Sequence, residues 1–404
     1  MMIPQTPFYY YDTVLLQSTL EAIHKEIEQY PNYHVHYALK ANANPRLLEI
    51  IQQAGFGADC VSGGEVQRAI DAGFPADKIV YAGVGKSDWE ILTALRNDIF
   101  CFNVESIPEL QIINELAASL GKTARVCLRI NPDVEAHTHA HIVTGMAENK
   151  FGIALKDLLR VVELTNELPN ISFEGLHFHI GSQITDMQDY VALCERVNVI
   201  QDQLNQLNIY PSVINVGGGL GVDYQTPDLH PIADFNAYFQ VFAQHLQLRP
   251  NQSLHFELGR AIVAQCGSLI TRVLYVKQTD TKQFAIVDAG MTELIRPALY
   301  QAKHKIVNLT SRLDIQEKYD VVGPICESSD VFDKDLMLPV TQRGDILAIR
   351  SAGAYGESMA STYNCRSLPE SFTDKEVEIP IDVKKSAAEN LRRTQRKRNK
   401  KWFR

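Results

Sequence analysis

The sequence predicts an α/β fold with a β domain attached: an N-terminal TIM-like (β/α)8 barrel, then a C-terminal antiparallel β-barrel or sandwich. Three observations predict it. Eight short β-branched or apolar runs recur, with amphipathic, helix-length stretches between them. Glycines and reactive side chains gather at the C-terminal ends of those runs, where such barrels carry their sites. After Arg260 the strand-like runs lose the intervening helical pattern.

The eight runs are 34–40 (HVHYALK), 57–62 (GADCVS), 78–83 (KIVYAG), 98–103 (DIFCFN), 125–130 (RVCLRI), 173–180 (FEGLHFHI), 213–218 (VINVGG) and 253–259 (SLHFELG). Helical stretches between them include 45–54, 64–72 and 106–119. An open doubly wound sheet is the alternative, but eight regular units in one series favour closure. The later runs are 269–278, 284–290, 319–326 and 345–351, and the early 6–12 run (TPFYYYD) is a candidate to join them. The expected division is a barrel over 26–260, a β domain from 1–25 and 261–370, and a C-terminal extension over 371–404.

Composition bounds the function. The chain is 45% hydrophobic and 22% charged, ordinary for two domains with real cores. A net charge of −9 implies no general affinity for nucleic acid. No basic segment precedes an apolar run at the N-terminus, and no stretch of about 20 apolar residues exists to span a bilayer. The seven cysteines are odd in number, scattered and without a CxxC pair, so reduced thiols of a cytoplasmic protein are expected. No His/Cys/Asp/Glu set has metal-ligand spacing, and no metal is expected. Residues 391–404 depart from this balance, with eight Lys/Arg and no acid. They fit a solvated tail better than an anion contact, since no basic patch elsewhere supports one.

The strand ends carry the chemistry. Lys40 closes the first run, and strand alternation would set it on one face with His36 and Ala38. A lysine at a barrel mouth loses hydration and drops in pKa, which suits covalent attachment to a carbonyl. A lysine that merely reaches solvent is the alternative. His177 and His179 sit two apart on the sixth run, followed by Ser182; a ring there can stack on a planar cofactor or simply fill the core. The seventh run ends in Gly217, Gly218, Gly219 and Gly221, whose backbone N–H groups can cradle an anion or form a plain tight turn. The eighth ends in Glu257, Gly259 and Arg260. Arg260 can complete a phosphate site. Glu257 needs a positive partner, either a protonated pyridine nitrogen or Arg260 itself.

Together these features are recognisable. YALKAN (37–42), GADCVSGGE (57–65), ENKFGI (148–153), GLHFHIGSQ (175–183), GGGLG (217–221), ELGR (257–260), DAGMTELIRPALY (288–300), GPICESSD (323–330) and AGAYG (352–356) resemble the fold-type III pyridoxal-phosphate decarboxylases. The likeness runs from about residue 6 to residue 366. It implies an alanine racemase-like pair of domains, pyridoxal 5'-phosphate as cofactor, and a homodimer with active sites shared across the interface. It implies Lys40 as the Schiff-base lysine and His179 against the ring. Ser182, Gly217, Gly218, Gly219 and Arg260 would be at the phosphate, Glu257 at the ring nitrogen, and Gly259 and Tyr355 at the cofactor. It also implies that the partner subunit donates Cys326, the acid that returns a proton, and Glu327. ELGR departs from the usual EPGR, with Leu258 in place of proline.

Within the family, GPICESSD and LIRPALY resemble the branch that acts on meso-diaminopimelate, not the ornithine or arginine branches. The ornithine enzymes have an aspartate after the cysteine, where this chain has Glu327. Arg296 and Tyr300 lie one turn apart if Pro297 opens a helix, and an arginine with a tyrosine can hold a distal carboxylate. Glu327 and Arg296 then offer one opposite charge to each end group of the substrate, with Arg260 and Tyr355 also in contact. Rival expectations are a decarboxylase of D-lysine, D-ornithine or carboxynorspermidine, a racemase-like enzyme, and a non-catalytic partner-binding relative. The presence of Lys40 and Cys326 counts against the last.

Overall fold

The computed structural model describes residues 3–133 and 150–379. The basic stretch 391–404 lies outside the described residues, as do Glu148 and Asn149 of the ENKFGI motif. The chain divides into two compact units. One comprises Leu20–Gly221 and Asp234–Gly259; the other comprises the described residues up to Thr19, Val222–Ala233, and those from Arg260 onward.

The first unit is the expected barrel. A strand β1, Phe8–Tyr11, precedes it in the chain and belongs to the other unit. The barrel strands are β2 (Tyr33–Ala38), β3 (Gly57–Cys60), β4 (Ile79–Tyr81), β5 (Cys101–Val104), β6 (Ala124–Asn131), the two-residue β7 (Ile153–Ala154), β8 (Ile171–His177), β9 (Val213–Asn215) and β10 (Ser253–Leu258). All pair in parallel, in the order β5-β4-β3-β2-β10-β9-β8-β6-β7, and the β5–β6 pairing closes the ring. All eight predicted runs fall on barrel strands, most of them trimmed at one or both ends.

Local chemistry sets the intervening helices. Asn44 caps Pro45–Gln53 by accepting from the Arg46 N–H, and Pro45 contributes a preset φ with no donor to lose. Ser62 accepts from the Glu65 N–H to start Gly63–Asp71, and Ser106 caps Ile107–Ser119 through Glu109. Each helix starts soon after a strand ends. The loops after β2, β3 and β5 are therefore short, whereas the segment between Asn215 and Phe235 is long.

The second unit is a sheet of eight strands. Its members after β1 are β11 (Gly267–Gln278), β12 (Gln283–Val287), β13 (Ile306–Asn308), β14 (Gln316–Val322), β15 (Val331–Pro339), β16 (Ile346–Ile349) and β17 (Glu370–Thr373). The order is β13-β16-β11-β12-β14-β15, with β1 between β11 and β17. Pairing is mostly antiparallel; β1–β17 and β12–β14 run parallel. The TPFYYYD run joins this sheet as β1, with Phe8 opposite Ile270. Its core gathers Phe8, Tyr10, Ile270, Leu309, Ile346 and Ala348. β17 runs into the segment read from sequence as an extension. Among the described residues no helix is long and apolar enough to cross a membrane.

Candidate active site

Side chains from four barrel strands meet at Glu257, which is 7% exposed. Asn103 of β5 and Asn215 of β9 each donate an amide N–H to its Oε1, at 2.9 and 2.8 Å. His177 of β8 donates from Nε2 to its Oε2 at 3.0 Å. Burial alone would raise this carboxyl's pKa. The charge and hydrogen bond of His177, with the Lys40 cation behind it, outweigh burial and hold Glu257 well below the ordinary carboxylate range. The result is an ionised carboxylate fixed inside the barrel.

Lys40 needs a correction. β2 ends at Ala38, and a 3-10 turn, Leu39–Ala41, carries the lysine. Strand alternation therefore does not set its direction; the turn does. Its side chain is 40% exposed, and Nζ lies 4.0 Å from Oδ2 of Asp59, which is buried. Burial and the nearby Glu257 carboxylate push Asp59 well up, against the pull of Lys40.

The histidine pair also reaches past its strand. β8 ends at His177, and His179 lies two residues beyond it. His177 serves Glu257, while the Gly218 N–H approaches His179 Nδ1 at 3.4 Å. Burial, then the cations of Lys40 and Arg129, keep His179 well below its usual pKa and so neutral.

After β9 the chain folds back as a glycine cradle. Gly217 and Gly219 have φ of +66° and +95°, which L side chains rarely adopt. A Cβ on Gly218 would lie 1.8 Å from the Glu257 carbonyl oxygen. Only glycines allow this approach. Ser182 is half-buried, just before the Ile184–Leu220 bridge that ties its loop to the cradle.

The sheet unit holds a second cluster. Arg260 and Arg296 are 7% and 5% exposed. Pro297 lies in the first turn of the short helix Arg296–Tyr300, as its position in the sequence suggested. Tyr355 takes a left-handed φ of +56°, and the Arg260 guanidinium sits 4.9 Å from its ring centroid. Cys326 is an exposed thiol. Glu327 accepts from the Tyr363 hydroxyl at 2.6 Å.

Sequence reasoning missed Asp59, Asn103, Asn215 and Tyr224. The first three carried a signal: a polar residue near the C-terminal end of an otherwise apolar strand. Tyr224 carried none, because it lies in irregular chain after the cradle.

A barrel with a lysine just past a strand end, a glycine cradle and a buried anionic carboxylate, plus an eight-stranded sheet, defines a class of pyridoxal-phosphate enzymes. The family model for the pyridoxal-dependent decarboxylase pyridoxal-binding domain matches residues 16–264. A diaminopimelate decarboxylase of Bacteroides thetaiotaomicron is 63% identical over 92% of this chain and 96% of its own. One from Vibrio cholerae is 44% identical over 89% of this chain and 85% of its own. The crystal structure of the Helicobacter pylori diaminopimelate decarboxylase complexed with L-lysine superposes with a TM-score of 0.87, at 40% identity, covering 93% of each chain. The chain belongs to the pyridoxal-dependent decarboxylases and, within them, to the diaminopimelate decarboxylases.

Pyridoxal phosphate is therefore the cofactor, and the barrel mouth fits it. The cradle excludes side chains and so leaves backbone N–H groups to an anion. Glu257 is an anion suited to a protonated ring nitrogen. Both Asp59 carboxylate oxygens, Asn103 Oδ1 and His177 Nδ1 are buried without a hydrogen bond. Such atoms are costly unless a polar ligand meets them.

Proposed function

We propose that the protein decarboxylates meso-2,6-diaminopimelate to L-lysine and carbon dioxide, in lysine biosynthesis. The observation that carries this reading is the second buried guanidinium. One arginine suffices for the cofactor's phosphate; Arg296 beside it leaves a charge for a distal carboxylate. The names of the relatives support the same substrate.

The residues take these roles. Lys40 supplies the amine that attaches the cofactor. Ser182, the cradle Gly217–Gly219, Gly259 and Arg260 hold its phosphate. His179 packs on its ring, Glu257 faces its ring nitrogen, and Tyr355 contacts it. When bound, pyridoxal phosphate supplies the electron sink that accepts the pair left behind by carbon dioxide. Glu257 maintains that sink by keeping a positive charge opposite itself. Arg296 and Tyr300 bind the distal carboxylate, and Glu327 binds the distal ammonium. Cys326 then delivers a proton to the carbon that lost the carboxylate.

Cys326 and Glu327 act on the partner subunit's cofactor in a homodimer, which accounts for an exposed thiol and carboxylate in a single chain. The enzyme works in the cytoplasm, on a small molecule. Residues 26–260 are the cofactor-carrying domain, 1–25 with 261–370 the domain that completes the site of the other subunit, and 371–404 an extension.

The deciding experiment incubates the enzyme with meso-diaminopimelate and measures carbon dioxide and L-lysine. D-Lysine, D-ornithine and carboxynorspermidine are run beside it. Stoichiometric L-lysine, with little turnover of the others, is the expected result. Faster turnover of a substrate without the distal carboxylate would overturn the assignment.

A further inference from the structure

Two buried arginines side by side repel each other, and a buried cation without compensation is costly. Proteins usually resolve this with a carboxylate between the cations. Here the group between them is a phenol. The Tyr224 oxygen accepts from Arg260 Nη1 at 2.6 Å and from Arg296 Nη1 at 2.6 Å. The Arg296 guanidinium lies 5.0 Å from the Tyr224 ring centroid, and that of Arg260 lies 5.9 Å from it.

The phenol is itself held. Its ring meets the edge of His304 at 5.0 Å and 77°. The Tyr224 carbonyl accepts from the Lys305 N–H at 3.2 Å. His304 Nδ1 is bonded to the Arg350 carbonyl at 2.9 Å, and the Arg350 guanidinium reaches Asp228 at 2.8 Å. Burial, then the Arg296 cation, keep His304 neutral, with its pKa lowered to about 3.

The choice of a phenol has a consequence. A carboxylate would join the arginines but cancel much of their charge. A phenol oxygen has two lone pairs, one for each guanidinium, and leaves both positive charges for ligands. Its own proton remains for a third acceptor. Burial would raise the phenol's pKa, and the two cations more than offset that, lowering it.

We propose that Tyr224 is a positioning residue that ties the guanidinium of Arg260 to that of Arg296, so that the cofactor's phosphate and the substrate's distal carboxylate are bound by one preset unit. This rests on the reading of the two arginines above. The pairing extends substrate selection to a side chain that need not touch the substrate.

The test uses Tyr224→Phe, which removes the oxygen and keeps the ring. Two affinity differences are measured by equilibrium binding, independently of turnover. The first is pyridoxal phosphate against pyridoxal, on enzyme stripped of cofactor. The second is L-lysine against cadaverine, on the holoenzyme. The first difference reports the phosphate, the second a carboxylate. Tyr224→Phe should weaken pyridoxal phosphate and L-lysine by about 10-fold each, the loss expected for a hydrogen bond to a charged group, and leave pyridoxal and cadaverine unchanged. KM for meso-diaminopimelate should rise more than kcat falls.

If Tyr224→Phe keeps either difference intact, the tie is overturned while the arginine roles stand. If the wild type shows neither difference, the arginine roles fall and the tie with them. Should Tyr224→Phe not fold, the cofactor-free wild type decides. One tyrosine must ionise ahead of the rest in ultraviolet difference spectra, and inorganic phosphate must raise its pKa. The absence of either effect overturns the proposal.

Discussion

His177 and Glu257 are joined at 3.0 Å inside the barrel, and the bond fills the carboxylate oxygen that the two asparagines leave open. Three donors from three strands therefore fix one acid. They hold the carboxylate ionised and in place for a cation beyond them. Glu257→Gln should bind cofactor with little loss, because shape and most of the packing survive. Turnover should fall by at least about 10²-fold, as when a preset electrostatic partner is removed. The cofactor absorbance and kcat measured together check this. Near-normal kcat would remove Glu257 from the ring nitrogen.

A second buried relay predicts acid sensitivity. The Ser253 hydroxyl lies 2.9 Å from His255 Nε2, His255 Nδ1 lies 2.8 Å from His36 Nε2, and His36 Nδ1 lies 3.0 Å from the Lys78 carbonyl. A carbonyl only accepts, so His36 Nδ1 carries its proton and His36 Nε2 is the acceptor. Each ring then needs one bare nitrogen, and a second proton on either breaks the chain. Burial lowers His36 to about 4 and His255 well below its usual value. The unfolded rings take up protons first as pH falls. Stability contributed by His36 is thus full above about pH 6.5 and is lost as pH drops to about 4, on the order of 3 kcal/mol. Urea unfolding across that window should show the decline, and His36→Gln should flatten it. An unchanged slope in the variant would exclude the relay as its source.

Much of this was legible in the sequence, for reasons that differ by element. The barrel strands are buried on both faces, so they read as continuous apolar runs, and each of the eight was found. Edge strands were not. β15 lies at the end of its sheet and carries Asp333, Lys334 and Asp335 in its middle, which breaks the apolar pattern an interior strand would keep. The short β13 and β17 gave too few residues to show alternation. Within the site, Lys40 and His179 were recognised as residues, but strand alternation does not set their direction, because each lies two residues past the end of its strand. Tyr224 could not be found from pattern at all: it is defined by two arginines, 36 and 72 positions away in the chain.

Asp330 predicts how the thiol loop is held. Its carboxylate accepts from the Ile325 N–H at 2.8 Å and from the Met291 N–H at 2.6 Å. A Cβ on Gly323 would lie 2.3 Å from Asp330 Oδ2, and one on Gly290 would lie 3.0 Å from it. The two glycines make room for the acid, and the acid closes the loop that presents Cys326 and Glu327. Asp330→Ala should strand two backbone donors and cost about 2 kcal/mol or more of stability. It should lower kcat more than it weakens cofactor binding. Thermal melts and cofactor titration check both parts; kcat equal to wild type in a folded variant would show that the loop is held by other contacts.

The last prediction concerns the proposed sharing of sites between subunits. Lys40 and Cys326 are far apart in the chain, yet one reacting carbon needs both. In a two-fold dimer the interface is the same patch on each chain, so each of the two sites takes Lys40 from one subunit and Cys326 from the other. Lys40→Ala should lose the visible absorbance of attached cofactor and nearly all activity. Cys326→Ala should keep the absorbance and lose most activity. When the two inactive variants are dissociated together and reassembled, a mixed dimer has one doubly damaged site and one site with both residues intact. Random assembly gives mixed dimers in about half of cases, so roughly a quarter of wild-type activity should return. Reassembly, a tag-based count of mixed dimers, and an assay of L-lysine release make the test quantitative. If mixed dimers form and activity stays at the level of the separate variants, Lys40 and Cys326 act within one chain, or Cys326 is not the proton donor.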